Sequence, residues 1–421
     1  MGADPPIRTS CLTRSARPDR RSLPSVVAHA DADQVTAFRL HRHALSRRLL
    51  PGSLLVATAA SGIEDAPPGS AAVSLAARVD ALEPGDLDRA LAFDRSLVRL
   101  WSVRAAPVVV PTADAAVFTT GVRPDDESSR RFFILGAAAH LDTFGLTATD
   151  AAERTAAALL EVLDGRELTK DELGRELAAF VGRSIPAHHL ASWNAPDGLR
   201  LNRHGESLVR WVLGLVSLDG LFVLSARRGS ATRFLRTDQW LGAPFAPLDP
   251  AAARAELARR YLRCFGPSTT GDLAAWAGIS PAQAGRSWRL VEAELVEVRV
   301  GRRTAWLLAS DLEAFAAPPQ PTGVRLLPPH DPFLQLRDRA TLLPDPSLRS
   351  RVWRAQGAPG GLIVAGRLLG TWRGMKRGRR LSLTIDLFDP LRPTARDDLV
   401  AEAQIVARTR ECATAEVSFE G

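Results

Sequence analysis

The sequence predicts an α+β protein in which a unit of three helices and a β-hairpin occurs three times, ahead of a smaller and mostly β C-terminal part. Three observations lead to this prediction. Amphipathic helical segments recur along the chain, each group of them is followed by two short β-like runs, and the pattern changes to strands near residue 318. The 421 residues are enough for several domains.

The third unit, residues 246–317, has the clearest pattern. Helices are predicted over Pro250–Cys264, Thr270–Trp276 and Ala282–Glu292, with a Ser-Thr cap before the second and a first-turn proline before the third. Two β-like runs, Leu295–Val300 and Arg303–Leu308, follow around a Gly-Arg turn. Three helices closed by a β-hairpin are the arrangement of a winged helix, so the sequence predicts three such domains in tandem.

The other two units repeat this order less regularly. In residues 131–245 the predicted elements are the helices Ala151–Leu163, Lys170–Val181 and Glu206–Ser217 and the hairpin strands Leu221–Ser225 and Thr232–Leu235. In residues 31–130 they are the helices Asp33–Leu50, Ser53–Ala60 and Gly85–Phe93, a Pro- and Gly-rich loop over Glu64–Ser70, and a hairpin of Leu97–Arg104 with Val108–Val110. Residues 1–30 are rich in Arg, Pro and Ser and are predicted to be a flexible basic arm.

The C-terminal part, residues 318–421, is predicted to be a small β domain with a final helix. Gly361–Gly366 and Arg367–Arg373 form a hairpin, Leu381–Leu387 alternates as a strand does, and a helix covers Asp397–Thr409. The flanking strands place the basic run Lys376–Arg380 at a hairpin tip.

The chain is strongly basic. It has 54 Lys and Arg against 47 Asp and Glu, a net charge of +7 and a pI near 10.3. All of the basic residues except Lys170 and Lys376 are arginine, which binds phosphate through a planar fork and stacks on bases. The excess charge predicts a polyanionic partner, namely double-stranded DNA. A basic surface without such a partner is the alternative, because GC-rich coding accounts for part of the arginine bias.

Several classes of site and location are not expected. Cys11, Cys264 and Cys412 lack metal-ligand spacing and fit a reducing cytoplasm. No uncharged apolar run reaches the roughly 18–20 residues of a membrane span, and the N-terminus lacks the apolar core of a secretory signal. His188-His189 has no third ligand at useful spacing, and no phosphate-binding glycine loop is present. We therefore expect a cytoplasmic, nucleoid-associated protein without a metal, nucleotide or flavin cofactor.

Several segments, in order along the chain, resemble one family. The first unit contains SGIEDAPPGSAAVSLAARVD and RSLVRLWSVRAAPVVVP, the third contains RYLRCFGPSTTGDLAAWAGIS, and the C-terminal part contains VRLLPPHDPFLQLRDR and GGLIVAGRLLGTWR. Together they resemble the AlkZ/YcaQ-like DNA glycosylases from about Val35 to Glu411. The resemblance implies a C-shaped clamp on duplex DNA. It also implies hydrolysis of the N-glycosidic bond of bulky alkylated purines, including crosslinks made by DNA-reactive natural products.

The catalytic motif of this family is altered here. Its members carry Gln-hydrophobic-Gln or Gln-hydrophobic-Asp before the Pro- and Gly-rich loop, where the motif positions the attacking water. Aligned through Gly62 and the following prolines, the first glutamine falls on Glu64, Asp65 replaces the apolar residue, and Ala66 takes the second position. Val108 stands where close relatives often have a histidine. A carboxylate can accept a proton from water and stabilise positive charge on the sugar, so Glu64 and Asp65 are the catalytic candidates. The alternative is that both are turn residues.

The candidate DNA contacts are basic residues and one tryptophan on predicted hairpins and third helices. Alternation along the first hairpin puts Arg99 and Trp101 on one face with Val103, and Arg104 on the other. The remaining candidates are Arg227, Arg228, Arg286, Arg289, Arg302, Arg303, Lys376, Arg377, Arg379 and Arg380. We expect them to line one concave face and to contact phosphates. An exposed charge without a DNA partner is the alternative for each basic residue, and a core position is the alternative for Trp101.

Two functions remain open from the sequence alone. The first is a monofunctional DNA glycosylase acting on N7-alkylguanine adducts or crosslinks, with self-resistance to a genotoxic natural product as one physiological context. Such an enzyme needs mainly a positioned water and charge stabilisation, because an N7-alkylated purine is already a good leaving group. The second is a winged-helix DNA-binding protein or regulator with a decayed active site. Three units in tandem favour a monomeric clamp on lesion-containing duplex DNA over a dimeric regulator.

Overall fold

A computed structural model describes residues 28–198, 202–225 and 231–420. Within these ranges the chain is α+β as predicted, with helices and strands interleaved along its length. Two predicted features lie outside the described residues, namely the basic arm up to residue 27 and the hairpin tip that carries Arg227 and Arg228. None of the helices in the described part of the chain is both long and apolar enough to cross a membrane.

The first two groups of elements share one sheet. The first group consists of β1 Ala28–Ala30, α1 Ala32–Arg42, α2 Leu54–Ala59, β2 Ile63–Glu64, α3 Ser70–Ala76, α4 Asp86–Ala92, β3 Leu97–Trp101, β4 Pro107–Pro111 and α5 Ala115–Phe118. The second consists of α6 Glu127–Phe133, α7 Ala138–Phe144, α8 Ala148–Val162, β5 Leu168–Thr169, α9 Lys170–Gly182, α10 Leu190–Asn194, α11 His204–Ser217, β6 Phe222–Leu224, β7 Arg233–Arg236 and α12 Thr237–Leu241. The strand order is β2-β4-β3-β6-β7-β5, and the two hairpins join where Arg99 lies opposite Leu224.

The third group matches its predicted elements closely. It consists of α13 Pro250–Phe265, α14 Thr270–Ala277, α15 Pro281–Arg289, β8 Leu295–Val300, β9 Arg303–Leu308 and α16 Leu312–Ala316. Thr269 and Asp272 form a capping box at the start of α14, and Ser280 caps α15 ahead of Pro281. These caps could be read from the sequence because each depends on residues only a few positions apart.

The N-terminal strand corrects one prediction. β1 pairs in parallel with β8, from Ala28 opposite Val298 to Ala30 opposite Val300, whereas residues 28–30 were assigned to the flexible arm. Phe38 of α1 then packs in a buried cluster with side chains of the third group, including Phe315. A strand of three residues is too short to be recognised by its pattern, and its partner is distant in the sequence.

The C-terminal part is a five-stranded sheet packed against a long helix. Its elements are β10 Val324–Leu327, α17 Arg339–Leu342, α18 Pro346–Val352, β11 Gly360–Val364, β12 Arg367–Arg377, β13 Arg380–Leu387, α19 Pro393–Thr409 and β14 Thr414–Phe419. The strand order is β10-β11-β12-β13-β14. The predicted hairpin tip is confirmed, because Arg377 pairs with Arg380 around Gly378, whose φ is +57°. The prediction that the helix is final is wrong, since β14 follows it and pairs in parallel with β13.

A buried ion pair joins the first group to the C-terminal part. Nη2 of Arg78 donates to Oδ1 of Asp331 at 2.7 Å, and the two side chains are 2% and 0% exposed. Ser74 of α3 also donates to this carboxylate. Buried charges tolerate little displacement of their partners, so this pair fixes α3, and with it the loop that precedes α3, against the C-terminal part.

Candidate active site

Glu64 lies on β2, at the edge of the six-stranded sheet. Its backbone is opposite Val108 of β4, and Ile63 is opposite Val109. The position at which the family resemblance expects a histidine is therefore directly across from the candidate carboxylate. Here that position holds a buried valine, which cannot exchange a proton with Glu64 and gives it an apolar neighbour.

The Glu64 carboxylate is buried and paired with one cation. The residue is 8% exposed, and its Oε2 accepts a hydrogen bond from Nη2 of Arg104 at 2.8 Å. Burial raises the pKa of Glu64 because it disfavours the charged form, and the positive charge of Arg104 opposes part of this rise. A carboxyl group with a raised pKa is suited to proton transfer, and such groups cluster at functional sites.

Arg104 is not on the strand predicted for it. β3 ends at Trp101, and Val103–Ala105 forms a single 3₁₀ turn in which Arg104 has a φ of +57°. A side chain in this left-handed region is uncommon and is often found at functional sites. The guanidinium also donates to the carbonyl of Trp276 in α14. The predicted hairpin was therefore too long, and the third group of elements helps to hold the partner of Glu64.

Asp65 is bonded on both of its carboxylate oxygens. Oδ1 accepts the backbone N–H of Gly69 at 2.9 Å and that of Ala71 at 3.1 Å. Oδ2 is 3.0 Å from Nε of Arg99, and both side chains are almost fully buried. These bonds tie the loop after Glu64 to the start of α3 and to β3. In this geometry Asp65 holds the loop in place.

The surroundings of Arg99 correct a second prediction. The residue is 4% exposed, and besides its ion pair with Asp65 it donates from Nη1 to the carbonyl of Ser225 at 3.0 Å. To reach a phosphate, its guanidinium would have to leave a buried carboxylate unpaired, which is costly. Arg99 therefore links the candidate loop to the second hairpin, and the expectation that it contacts DNA does not fit its burial.

Two clefts meet at Asp65 and Arg99, which line both of them. The larger has a volume of about 840 Å³ and lies between the candidate loop and the C-terminal sheet. The smaller has a volume of about 360 Å³ and lies against the second hairpin. Glu64 is the residue before Asp65 in the chain, and it does not line either cleft. The Asp65 loop thus separates two clefts that share the Asp65–Arg99 ion pair in their walls.

Comparisons with known proteins identify the family. The family model "DNA glycosylase AlkZ-like" matches residues 57–409. The chain belongs to this family. The curated "Interstrand DNA cross-link repair glycosylase" of Streptomyces sahachiroi is 26% identical over 354 residues, which are 80% of this chain and 86% of the relative. The solved structure of Streptomyces sahachiroi DNA glycosylase AlkZ is similar with a TM-score of 0.71 and 24% identity, covering 93% of this chain and 100% of the solved chain.

Sequence reasoning missed several residues that line the clefts of this AlkZ-like chain. Arg373 and Arg410 line the larger cleft together with Lys376, and the Arg410 guanidinium lies 5.5 Å from the centre of the Trp372 ring. Arg373 lies on β12 and Arg410 follows α19, so only the fold brings them together. Nothing in the sequence marks Arg410 beyond its charge, whereas Arg373 lies in the GGLIVAGRLLGTWR segment that carried the family resemblance.

The smaller cleft of this AlkZ-like chain has an aromatic wall. Trp101 lines it, as does Phe234, whose ring centre is 5.3 Å from that of Trp101. Nζ of Lys170 lies 5.4 Å from the centre of the Trp101 ring, and burial lowers the pKa of Lys170. Trp101 and Arg99 share this cleft, as the predicted alternation requires. Trp101 is thus partly a core residue and partly a cleft residue.

The remaining DNA-contact candidates differ in their surroundings. Arg286 is paired with Asp125 and Asp126, and Arg303 with Asp272 and Asp338. At the tip of the β12–β13 hairpin, Arg380 is paired with Glu416 and Lys376 donates to the Arg410 carbonyl. Arg289, Arg302, Arg377 and Arg379 are exposed. Within the described residues, this hairpin tip is the candidate cluster with the most exposed positive charge.

Proposed function

We propose that this chain is a DNA glycosylase that hydrolyses the N-glycosidic bond of bulky or intercalating alkylated purines, such as N7-alkylguanine adducts and crosslinks. Family membership supports the reaction class. The name of the curated relative, a cross-link repair glycosylase, supports the kind of lesion. Self-resistance to a genotoxic natural product is the physiological context that we propose for such an activity.

The observation that carries this proposal is the Glu64–Arg104 pair. Glu64 aligns with the first glutamine of the family motif by sequence resemblance, and it is a buried carboxylate with a raised pKa. N7 alkylation makes the purine a cationic leaving group, so the reaction needs an activated water and stabilisation of positive charge on the sugar. The deprotonated carboxylate of Glu64 can accept a proton from water and can offset the oxocarbenium charge. Arg104 fixes the carboxylate, and Asp65 holds the loop beside it.

We propose that the two clefts bind different parts of the damaged DNA. The larger cleft has Arg373, Lys376 and Arg410 in its wall and suits a phosphate backbone. The smaller cleft, with Trp101 in its wall, offers an aromatic surface to a planar adduct. The three groups of helices and hairpins would act as winged helices that clamp lesion-containing duplex DNA as a monomer.

The test is excision by Glu64→Ala and Asp65→Ala variants. We expect Glu64→Ala to lose about 10²–10⁴ in single-turnover rate on a duplex containing N7-methylguanine or a nitrogen-mustard crosslink. Asp65→Ala should also lose most of its rate, through displacement of the loop. Binding of undamaged duplex should change little. Asp94→Ala is the matched control, because it removes an exposed carboxylate that lies outside the walls of both clefts.

Two outcomes would overturn the proposal. If the wild-type protein binds duplex DNA but releases no base from a broad panel of alkylated duplexes, the chain is a DNA-binding protein and not an enzyme. If the protein is active and the Glu64→Ala/Asp65→Ala double variant matches it, the catalytic group lies elsewhere. Abasic-site cleavage by alkali provides the readout for all variants.

A further inference from the structure

Three side chains that are far apart in the sequence meet in the second group of elements. His140 lies in α7, Asp197 follows α10, and His204 is the first residue of α11. Nε2 of His140 is 3.4 Å from Oδ2 of Asp197, and Nδ1 of His204 is 3.5 Å from Oδ1. The centres of the two imidazole rings are 5.4 Å apart. None of these residues belongs to the walls of the two clefts at Asp65.

These separations match the edges of a tetrahedral metal site. Zinc lies about 2.0–2.2 Å from histidine nitrogen and carboxylate oxygen, so ligand atoms of one tetrahedron are roughly 3.3–3.5 Å apart. One ligand atom from each of the three residues lies within 4.8 Å of the other two. The two histidines face different oxygens of Asp197, so side-chain rotations would be needed to bring one oxygen and both ring nitrogens to the edges of one tetrahedron.

The bonding of His140 and Asp197 also favours a metal. Nδ1 of His140 is buried without a hydrogen-bond partner among the described residues, which is unfavourable for a polar atom. Nε2 faces Asp197 at 3.4 Å, at the long end of hydrogen-bond distances, and a metal ion would bind it more closely. Ser207 donates to Oδ2 of Asp197 and so orients this carboxylate. A hydroxyl that orients a carboxylate ligand is typical of the surroundings of metal sites.

We propose that His140, Asp197 and His204 bind a divalent zinc-type transition-metal ion, with water in the fourth position. Two neutral imidazoles and one carboxylate are a donor set that suits zinc and its neighbours in the first transition row. The ion would join α7 to Asp197 and to the first turn of α11. Since these ligands lie outside both clefts, its role is to fix the second group of elements and not to activate the water for base excision.

Metal binding by the full-length, chelator-treated protein tests this proposal. We expect one equivalent of Zn²⁺ by titration calorimetry, a rise of the melting temperature on adding Zn²⁺, and visible absorption of four-coordinate Co²⁺ when cobalt is used instead. His140→Ala and His204→Ala should each weaken Zn²⁺ binding more than about 10-fold, and Ser207→Ala should weaken it by about 10–100-fold. The His188→Ala/His189→Ala double variant is the matched control, because it removes a histidine pair that contacts Phe144 of the same helix α7 but lies outside the proposed site.

Three results would overturn the proposal. The first is a wild-type protein that binds Zn²⁺ no more tightly than the His140→Ala/His204→Ala double variant. The second is loss of the bound equivalent in the His188→Ala/His189→Ala control. The third is a Zn²⁺-induced rise in melting temperature that persists when both proposed histidines are absent. If an alanine variant does not fold by circular dichroism, the stoichiometry and the cobalt spectrum of the wild-type protein still decide the question.

Discussion

Glu64 and Arg104 form a pair in which each group changes the proton affinity of the other. Burial raises the pKa of Glu64 and lowers the pKa of Arg104, and in each case the charge of the partner opposes the effect of burial. Val108, which lies opposite Glu64 on the neighbouring strand β4, has no ionisable group. The protonation state of Glu64 is therefore set mainly by its burial and by Arg104, with smaller electrostatic effects of His330 and Arg337.

This pair predicts a particular pH dependence of base excision. If the deprotonated carboxylate is the active form, the rate should rise as pH increases through the pKa of Glu64. Arg104→Met removes the charge that lowers this pKa, so the rising limb should move to higher pH. In Glu64→Gln the excision rate should no longer rise with pH, but part of the rate should remain, because an amide can still position water. Single-turnover excision measured from about pH 5 to about pH 9 provides the profile. A limb that stays in place in Arg104→Met would contradict this assignment.

The partners of Asp65 are an example of residue contacts that could not be predicted from the sequence. The motif position identified Glu64 and Asp65 as neighbours of interest, and both have arginine partners. Sequence alternation also identified Arg99 and Arg104, but as DNA contacts. Their partners could not be predicted, because the two ion pairs join residues 34 and 40 positions apart and depend on how β3 and the turn after it lie beside β4 and β2.

Among the elements, α14 has an unexpected connection to the candidate site. Gly278 ends this helix with a φ of +72°, and a Cβ built on it would lie 2.9 Å from Cγ and 3.0 Å from Cα of Arg104. The turn that carries Arg104 can approach the helix end only because this residue is glycine. The end of α14 in the third group is thus coupled to the position of the Glu64 carboxylate in the first group.

Gly278→Ala should therefore slow excision while affecting DNA binding little. A new methyl group at this position would push the Arg104 turn away and displace the partner of Glu64, and misplacement by about 1 Å can cost up to about 100-fold in rate. Gly242→Ala is the matched control, because Gly242 also ends a helix with positive φ but its Cβ would meet no atom within 4 Å. Both variants should lose a similar amount of thermal stability. If they also lose the same amount of excision rate, the proposed coupling is wrong.

The β12–β13 hairpin allows a separate test of phosphate binding. Arg377 and Arg379 are exposed at its tip, and each phosphate contact contributes about −0.9 to the slope of log K against log salt concentration. Arg377→Ala/Arg379→Ala should make this slope shallower by about 2 for an undamaged duplex. Arg123→Ala/Arg166→Ala removes the same charge from surface ion pairs with Asp219 and Glu176 and should leave the slope nearly unchanged. Equal slopes for the two double variants would exclude the hairpin tip from the DNA interface.

Elements defined by interactions between nearby residues were predicted accurately, whereas elements that depend on distant residues were not. The helices and strands of the third group were predicted to within a few residues, because caps, prolines and a hairpin turn are local signals. β10 and β14 were missed, although the residues of β14 alternate between polar and apolar side chains as a half-buried strand does. The predicted end of the first hairpin was wrong because the left-handed turn at Arg104 is held by a distant helix.

For the molecule as a whole, the Arg78–Asp331 pair is the clearest link between distant parts. Arg78 follows α3 in the first group, whereas Asp331 lies in the C-terminal part, and both are fully buried. Burial would raise the pKa of Asp331, but the charge of Arg78 and the hydrogen bonds to the carboxylate outweigh it, so the pKa is lowered. The carboxylate therefore stays ionised in the folded protein at a pH where an unfolded chain would protonate it.

This lowered pKa has a consequence for acid stability. The contribution of Asp331 is fully present above the pKa of an unfolded aspartate, about 3.9, and is lost as pH falls through the lower value in the folded protein. Asp331→Asn leaves Arg78 without a charged partner and should lower the free energy of unfolding by about 3–5 kcal/mol at neutral pH. The difference from wild type should shrink below about pH 4. Urea unfolding at several pH values measures this, and a constant difference down to pH 2, about 2 units below the unfolded value, would contradict it.

Domain organisation was predicted as four units in a row, and packing crosses the boundaries between them. The six-stranded sheet combines hairpins from the first two groups, and α1 packs with the third. These associations could not be predicted from the sequence, since each group has a complete local pattern of its own. Hydrophobic periodicity shows which face of an element is buried but not which neighbour buries it.

The parallel pairing of β1 with β8 also bears on how the chain folds during synthesis. The strand Ala28–Ala30 is made roughly 270 residues before its partner, a delay of about 14–54 s at ribosomal rates of 5–20 residues per second. During that interval Phe38 and the rest of the apolar face of α1 lack the third group that buries them. A nascent chain stalled before residue 295 should therefore expose this segment to chaperones and proteases, although the sheet shared by the first two groups is already complete.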